Sequence, residues 1–367
     1  MLEEYLKKLI EFRTISKDFK ENGEALMWIE NKIKDLPVYV KRHKKNGFKS
    51  LIITTQKTKT PKIMLSAHLD VVKGSENVFK PVIKDGKLYG RGVFDMKYAI
   101  ACYLKLLIEL KAELPKLDLG IMITTDEEIG GHNGVNFLLN EEKYSSEICV
   151  LPDGGTNWEL ITESKGILQI KVKSKGKSAH GSKPWLGESA IDNLVDFLQA
   201  LKGNKTFDEN YYKRGQEHYC NTFNVGKISG GEVANQVADY AEAVLDIRFV
   251  SSENEADILR LIKKVAKKSG KIEIEKIISG YPLKTDENNS YVRKFINIAK
   301  QNGIDIKPTF THGSSDARFF SENKIPVIVL RPNGGGHHSE EEWIDLESLG
   351  SFYKVLKMFV VSVSDGI

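Results

Sequence analysis

The stretch Lys62-Ile-Met-Leu-Ser-Ala-His68-Leu-Asp70-Val-Val72 decides how the first part of this chain is expected to fold. It is apolar, has the length of one buried strand, and carries polar groups at its end. Because side chains alternate along a strand, Ser66, His68 and Asp70 point to the same side. His68 would emerge at the carboxyl end of the strand, where open α/β sheets place their ligands, and the Asp70 carboxylate would accept a hydrogen bond from its imidazole. Taken alone, the pair is also typical of a strand-end histidine with one hydrogen bond.

The segments around this strand alternate between the periods of strands and helices. Further strands are predicted at 51–55 and 119–125, and helices at 2–12, 25–33, 98–110 and 134–139. Such alternation predicts an α/β domain in which helices cover a mainly parallel sheet.

The pattern changes near Ser164, where polar and apolar residues begin to alternate. Strands are predicted at 166–175, 222–228 and 241–250, and helices at 189–201 and 253–269. This order predicts an inserted α+β domain of the ferredoxin-like kind. We therefore expect a catalytic domain at 1–164 and 279–367, interrupted by a lid or dimerisation domain at 165–278. The last segment should contain a strand at 325–330 and a final helix at 346–363.

The composition is that of an ordinary globular protein. Of 367 residues, 41% are hydrophobic and 28% are charged, and 54 basic against 50 acidic residues leave a net charge of +4. That charge is too small to indicate a nucleic-acid partner or a membrane surface. Three cysteines far apart, without a CxxC pair, argue against a disulfide-stapled secreted fold. With no apolar signal-peptide core in the opening residues and no run of about 20 apolar residues, we expect a cytoplasmic protein.

Four more polar clusters follow turns or apolar runs. They are Tyr89-Gly-Arg-Gly-Val-Phe-Asp95-Met-Lys, Thr125-Asp126-Glu127-Glu128, Pro152-Asp153-Gly-Gly, and Asn333-Gly-Gly-Gly-His337-His338-Ser-Glu-Glu-Glu342. Each has an ordinary interpretation, such as a helix N-cap for Asp95 or a solvated acidic loop for 126–128. Acids at the exit of a buried strand nevertheless repel one another unless a cation is near. Their convergence on one sheet edge predicts a metal site.

A charge count supports two ions in this site. Two neutral histidines with Asp95, Glu128 and Asp153 carry −3, opposite +4 for two divalent cations. The remaining positive charge of +1 could lower the pKa of a bridging water, and one further carboxylate could take the proton of that water. Mixed histidine and carboxylate ligands suit Zn²⁺, with Co²⁺ or Mn²⁺ as alternatives.

Together, the motifs HLDVV, GRGVFDMK, TTDEEIGG, PDGG, SAHGSKPWLGESAI and GGGHHSEEEW resemble a family of two-metal exopeptidases and N-deacylases. The family includes acetylornithine deacetylase, succinyl-diaminopimelate desuccinylase, carboxypeptidase G, aminoacylase and bacterial di- and tripeptidases, and the resemblance covers nearly the whole chain. It implies a metal-dependent amide hydrolase in which a hydroxide bridges two metals, and a homodimer formed through the lid domain.

The resemblance also implies roles for individual residues. The implied metal ligands are His68, Asp95, Glu128, Asp153 and His338, with Asp95 bridging. Asp70 would support His68, and Glu127 would be the general base. His338 is favoured over His337 because Glu342 and Trp343 follow it at the family's spacing, but the tandem pair leaves that choice open.

Within the lid, His180 resembles the family histidine that stabilises the oxyanion, often across a dimer. Asn235, Arg248 and Arg318 resemble contacts to a substrate carboxylate. His180 is equally typical of a hydrogen-bonded loop, and both arginines are typical of structural ion pairs.

The substrate prediction is divided. Asp153, where the family's deacylases usually have Glu, favours an exopeptidase or dipeptidase acting on a small peptide. The segment Gly313-Ser-Ser-Asp-Ala-Arg318 favours an N-acyl amino acid deacylase, such as a succinyl-diaminopimelate desuccinylase or acetylornithine deacetylase. A non-catalytic binding protein on the same fold is a further alternative, although every implied ligand and the base are present.

Overall fold

A computed structural model describes residues 1–207 and 219–364 of the chain. Its helices are α1 Leu2–Glu11, α2 Phe19–Ile33, α3 Lys97–Glu109, α4 Val135–Asn140, α5 Ala190–Lys202, α6 Glu255–Ala266, α7 Ser290–Gln301, α8 Ala317–Glu322 and α9 Leu346–Ser364. Its strands are β1 Tyr39–Lys45, β2 Phe48–Thr54, β3 Ile63–His68, β4 Val82–Lys84, β5 Lys87–Tyr89, β6 Leu119–Thr124, β7 Ile148–Val150, β8 Glu159–Ser164, β9 Gly166–Lys175, β10 Thr222–Gly230, β11 Tyr240–Phe249, β12 Lys271–Gly280, β13 Lys307–Thr311, β14 Val327–Ile328, β15 Gly334–Gly335 and β16 Trp343–Asp345.

These elements form two compact units. Unit 1 comprises Met1–Thr162, Lys284–Phe310 and the described residues from Ser315 onward, and unit 2 comprises the described residues of Glu163–Leu283 together with Thr311–Ser314. The prediction of an α/β fold with an additional α+β part is confirmed. Within the described ranges, no helix combines the length and the apolar character that a membrane crossing requires.

The main sheet of unit 1 has six strands in the order β1-β2-β6-β3-β7-β14. β3 is parallel to β6 and β7, and β14 is parallel to β7, whereas β1 and β2 add an antiparallel edge. Every residue of β3 and β6 is buried, and both strands are mostly apolar on both faces, with their polar residues Ser66, His68 and Thr124 toward the carboxyl ends. The predicted parallel arrangement therefore holds for the part of the sheet that carries the polar strand ends.

A second sheet of unit 1 has four short strands in the order β15-β16-β5-β4. β5 ends at Tyr89, directly before the turn that contains Asp95, and the connection from β15 to β16 contains His338. Because β16 pairs with β5, these two loops lie side by side although they are far apart in the sequence. The sequence analysis did not predict this sheet, since strands of two or three residues have no periodicity to detect.

Unit 2 contains an antiparallel sheet in the order β10-β11-β9-β12. In β9, Leu168, Ile170 and Val172 are fully buried beneath α5 and α6, while the residues between them are half-buried. This alternation is the pattern of a sheet with one covered face and one polar face.

Candidate metal centre

Three loops at one edge of the main sheet supply four of the expected site residues. His68 is the last residue of β3, Glu127 and Glu128 follow β6, and Asp153 follows β7. Because β3 lies between β6 and β7 and runs parallel to both, the carboxyl ends of the three strands meet. The second sheet adds Asp95 and His338 from its two adjacent loops.

Asp95 lies between the two histidines. Its Oδ1 is 3.2 Å from His68 Nε2, and its Oδ2 is 3.2 Å from His338 Nε2. Glu128 Oε2 lies 3.0 Å from His338 Nε2, and Asp153 Oδ1 lies 4.0 Å from His68 Nε2. A carboxylate that presents one oxygen to each histidine has the geometry of a bridging ligand.

Two groups of potential ligand atoms result. One comprises His68, Glu127 and Asp153, and the other comprises Asp95, Glu128 and His338; within each group the atoms lie within 4.8 Å of one another. His337 belongs to neither, and its ring packs against that of His338 with centroids 5.6 Å apart.

The support of His68 differs in detail from the expectation. Its Nδ1 lies 2.9 Å from the main-chain oxygen of Asp70 and 3.6 Å from the Asp70 carboxylate, so the carbonyl accepts the hydrogen bond. The Asp70 carboxylate instead accepts bonds from Ser16 Oγ at 2.8 Å and from the amides of Glu127 and Glu128 at 3.2 and 3.3 Å. Asp70 thus positions both β3 and the acidic loop after β6.

The electrostatics of the cluster suit divalent cations. Burial alone would lower the pKa of His68, but its bond to Asp95 and the charges of Asp153 and Glu127 raise it well above the ordinary value. Hydrogen bonds to Asp95 and Glu128 raise the pKa of His338 to about 10. The same negative charge that raises the pKa of these imidazoles would attract a divalent cation, and a histidine-carboxylate donor set suits zinc-like ions.

Glu127 lies in the group with His68 and Asp153. Burial and the charge of Asp153 raise the pKa of Glu127 well above its ordinary range. A carboxyl group with a raised pKa can accept a proton and return it near neutral pH, as a general base must.

Arg331, three residues after β14, was not identified from the sequence. Its Nη2 donates to Asp95 Oδ1 at 3.0 Å and also to Asp153 Oδ1, and its side chain is 7% exposed. Burial alone would raise the pKa of Asp95, but Arg331 and the hydrogen bonds from both histidines hold it well below the ordinary value. The charge count made from the sequence therefore lacked one buried positive charge.

Glu342 holds the turn that carries Asp95. Its Oε2 accepts from Arg91 Nη1 at 2.9 Å and from the Gly92 amide at 3.0 Å, while its Oε1 accepts from the amides of Phe94 and Asp95 at 2.9 and 3.0 Å. The carboxylate is 2% exposed. In the sequence, Glu342 indicates only the family spacing after His338, and its contacts with this turn have no local signal.

The four remaining predicted site residues have local partners. In unit 2, His180 Nδ1 accepts from the Ser182 amide at 3.1 Å, and Arg248 Nε donates to Asp246 at 2.7 Å. The main-chain carbonyl of Asn235 accepts from the Gly181 amide at 2.7 Å. In unit 1, Arg318 donates to the carbonyl of Gly130 at 2.7 Å. Their roles toward a substrate stay predictions.

Comparisons with known proteins place the chain in one family. Residues 64–362 match the model of peptidase family M20/M25/M40, which is more than half of the chain. The chain is 27% identical to a probable carboxypeptidase of Aspergillus clavatus, over 81% of this chain and 74% of the relative. It is 26% identical to a succinyl-diaminopimelate desuccinylase of Sulfurovum, over 98% of both chains.

Among solved structures, aminopeptidase PepT from Bacillus cereus superposes with a TM-score of 0.79 at 20% identity, covering 99% of this chain and 98% of that one. The chain belongs to peptidase family M20/M25/M40. It is a metal-dependent hydrolase acting on amide bonds, and the two ligand groups match the family's dinuclear metal binding.

Proposed function

We propose that this member of the family is an exopeptidase that cleaves the terminal amide bond of small peptides, with Glu127 as the general base. The position of Glu127 carries the proposal: it lies beside His68 and Asp153 and has a raised pKa. The preference for peptides over N-acyl amino acids is supported by Asp153 in place of the glutamate usual in deacylases, and by the likeness to a probable carboxypeptidase.

The proposed ligands fall into two sets that share Asp95. His68 and Asp153 would hold one ion, and Glu128 and His338 the other, with Zn²⁺ as the preferred metal and Co²⁺ or Mn²⁺ as substitutes. Bound ions would polarise the scissile carbonyl and make water a better acid. Glu127 would take a proton from that water as its oxygen attacks the carbonyl carbon. It would pass the proton to the amide nitrogen as the carbon–nitrogen bond breaks, so the amine leaves neutral and the acyl part becomes a carboxylate.

We propose that unit 2 is a lid and that it joins two copies of the chain. Strand β10 lies at one edge of its sheet, and unit 2 exposes large apolar side chains: Trp185 is 75%, Ile228 59% and Val233 56% exposed. An open edge beside exposed apolar residues is a typical protein interface.

His180 would stabilise the oxyanion, and Asn235, Arg248 and Arg318 would bind the substrate carboxylate. Three free cysteines support a cytoplasmic location.

A second candidate is an N-acyl amino acid deacylase. The likeness to a succinyl-diaminopimelate desuccinylase over 98% of both chains favours it, as does the segment from Gly313 to Arg318.

Amine release by Zn²⁺- or Co²⁺-loaded protein tests both candidates. The panel should contain dipeptides, tripeptides, N-acetyl amino acids and N-succinyl-diaminopimelate. Turnover confined to the peptides is the expected result. Turnover confined to one N-acyl amino acid would replace the exopeptidase by the deacylase.

A further inference from the structure

The Arg331 guanidinium lies within the candidate centre but contacts only one half of it. Its Nη2 bonds Asp95 Oδ1 and Asp153 Oδ1, and these are the oxygens that face His68 Nε2 at 3.2 and 4.0 Å. The opposite half uses Asp95 Oδ2, Glu128 and His338, in which His338 Nε2 lies 3.2 Å from Asp95 Oδ2 and 3.0 Å from Glu128 Oε2. A cation held by His68 must therefore share its two carboxylate oxygens with Arg331, whereas a cation at His338 need not.

Arg331 has little freedom to leave this position. Its side chain is 7% exposed, and its guanidinium carbon lies 5.1 Å from the centre of the Phe94 ring. Its buried Nε has no hydrogen-bond partner among the described residues. A buried donor without an acceptor is unfavourable. The attraction between the Arg331 charge and the carboxylates of Asp95 and Asp153 therefore explains its position, since its set of hydrogen bonds is incomplete.

We propose that Arg331 makes the two metal positions unequal: it holds Asp95 and Asp153 together in the metal-free protein and weakens ion binding at the His68 position. The inference rests on the ligand sets assigned under the proposed function. A guanidinium keeps its charge at all working pH values, so its repulsion of a divalent ion is permanent. Arg331 is a positioning residue for the ligands, and the ion at His338 should bind first.

Calorimetric titration of metal-stripped protein with Zn²⁺ tests this without any turnover. The wild type should bind in two steps of different affinity, and His68→Ala should abolish the weaker one. In Arg331→Met the weaker step should tighten by about tenfold or more, because the competing charge is gone. Thermal denaturation of the metal-free variant should also occur at a lower temperature, since Asp95 and Asp153 then repel each other.

Two variants serve as controls. Arg331→Lys retains the positive charge, so its two Zn²⁺-binding steps should still differ in affinity. Arg293→Met removes an exposed charge of unit 1 and should leave both steps unchanged. If Arg331→Met does not fold, Arg331→Gln, which keeps a donor but no charge, should show the same tightening.

Three results would overturn the inference in distinguishable ways. The role of Arg331 would be excluded, and the metal centre retained, by either of two results. One is two Zn²⁺-binding steps of equal affinity in the wild type, and the other is an unchanged affinity of the weaker step in Arg331→Met. No binding of Zn²⁺ by the wild type would remove the proposed centre and the inference together.

Discussion

Both units contain many charged residues, but they place them differently. In unit 1, Arg91 and Glu342 form a pair at 2.9 Å in which both side chains are 2% exposed. In unit 2, charged pairs line the open face of the sheet, such as Lys173–Glu275 at 2.6 Å, with 32% and 60% of the side chains exposed. The first pair lies beside the candidate centre, and the second lies on a surface in contact with water.

The buried charges of unit 1 support the chemistry of the candidate centre, whereas the exposed charges of unit 2 contribute to solubility. Removing an ion pair from water costs several kcal/mol per ion, on the order of what its attraction returns, so a buried pair is weak evidence for stability. An exposed pair contributes little because water and salt screen it. If this distinction is correct, changes to the buried charges beside the centre in unit 1 should have large effects, and changes to the exposed pairs on the sheet of unit 2 should have small ones.

Glu127→Gln should produce the largest effect. The amide keeps the shape of the side chain but cannot accept a proton, so the rate of amide hydrolysis should fall by about 10²–10⁴. The measurement is amine release at saturating substrate, with bound metal quantified in the same samples.

The matched control is Glu113→Gln, an exposed change before β6 and thus at the opposite end of that strand. It should leave the rate unchanged. Near-wild-type turnover in Glu127→Gln with metal retained would exclude Glu127 as the base.

Glu342→Gln should come next. The carboxylate accepts four N–H groups, and an amide offers only one oxygen, so two donors lose their partner. We expect the affinity for Zn²⁺ to fall by about 10–100-fold, as for other residues that orient a ligand. Breaking its buried pair with Arg91 should destabilise unit 1 by about 3–5 kcal/mol.

Glu340→Gln is the control for this change, because Glu340 lies on the same loop but is exposed. If both variants bind Zn²⁺ equally, Glu342 does not position Asp95.

His43 should make the stability of unit 1 depend on pH, with a smaller effect than that of Glu342→Gln. Burial lowers its pKa, against the opposing charge of Glu142, and its Nε2 lies 3.1 Å from the Tyr144 hydroxyl. On acidification, His43 takes up a proton at a higher pH in the unfolded chain than in the folded protein. Its contribution to the free energy of unfolding is therefore complete above the ordinary histidine pKa and falls as the pH drops through about 6.5. In His43→Phe the midpoint of thermal unfolding should depend less on pH between 7.5 and 5.5. Identical slopes for the two proteins would exclude this role.

Lys173→Gln in unit 2 should produce the smallest effect. Its partner Glu275 remains solvated when the pair is broken, so the midpoint of thermal unfolding should move by no more than about 1 °C. A shift as large as that of Glu342→Gln would show that exposure does not separate the two kinds of charge.

The sequence predicted the elements with strong periodicity and the acids at their ends. β3 and β6 are recognisable because whole runs are apolar, and β9 because it alternates. The clusters with His68, Glu127 and Asp153 followed from the rule that parallel strands present ligands at their carboxyl ends.

What the sequence could not predict depends on contacts between distant residues. The basic segment 41–45 has no apolar alternation, yet it belongs to the edge strand β1, in which His43 alone is buried. Arg331 has no motif around it, and only the pairing of β14 with β7 brings it to Asp153. The contact of Glu342 with the Asp95 amide spans 247 positions, a separation that no local pattern encodes.

That same separation has a consequence for biosynthesis. A ribosome releases the chain from the N-terminus at about 5–20 residues per second, so the strand ending at His68 emerges long before the hairpin with His338 and Glu342. Until then, the amides of Phe94 and Asp95 lack their acceptor, and His338 is missing from the five candidate ligands. The metal position at His338 can therefore be completed only after the synthesis of nearly the entire polypeptide, and a nascent chain arrested before β15 would lack it.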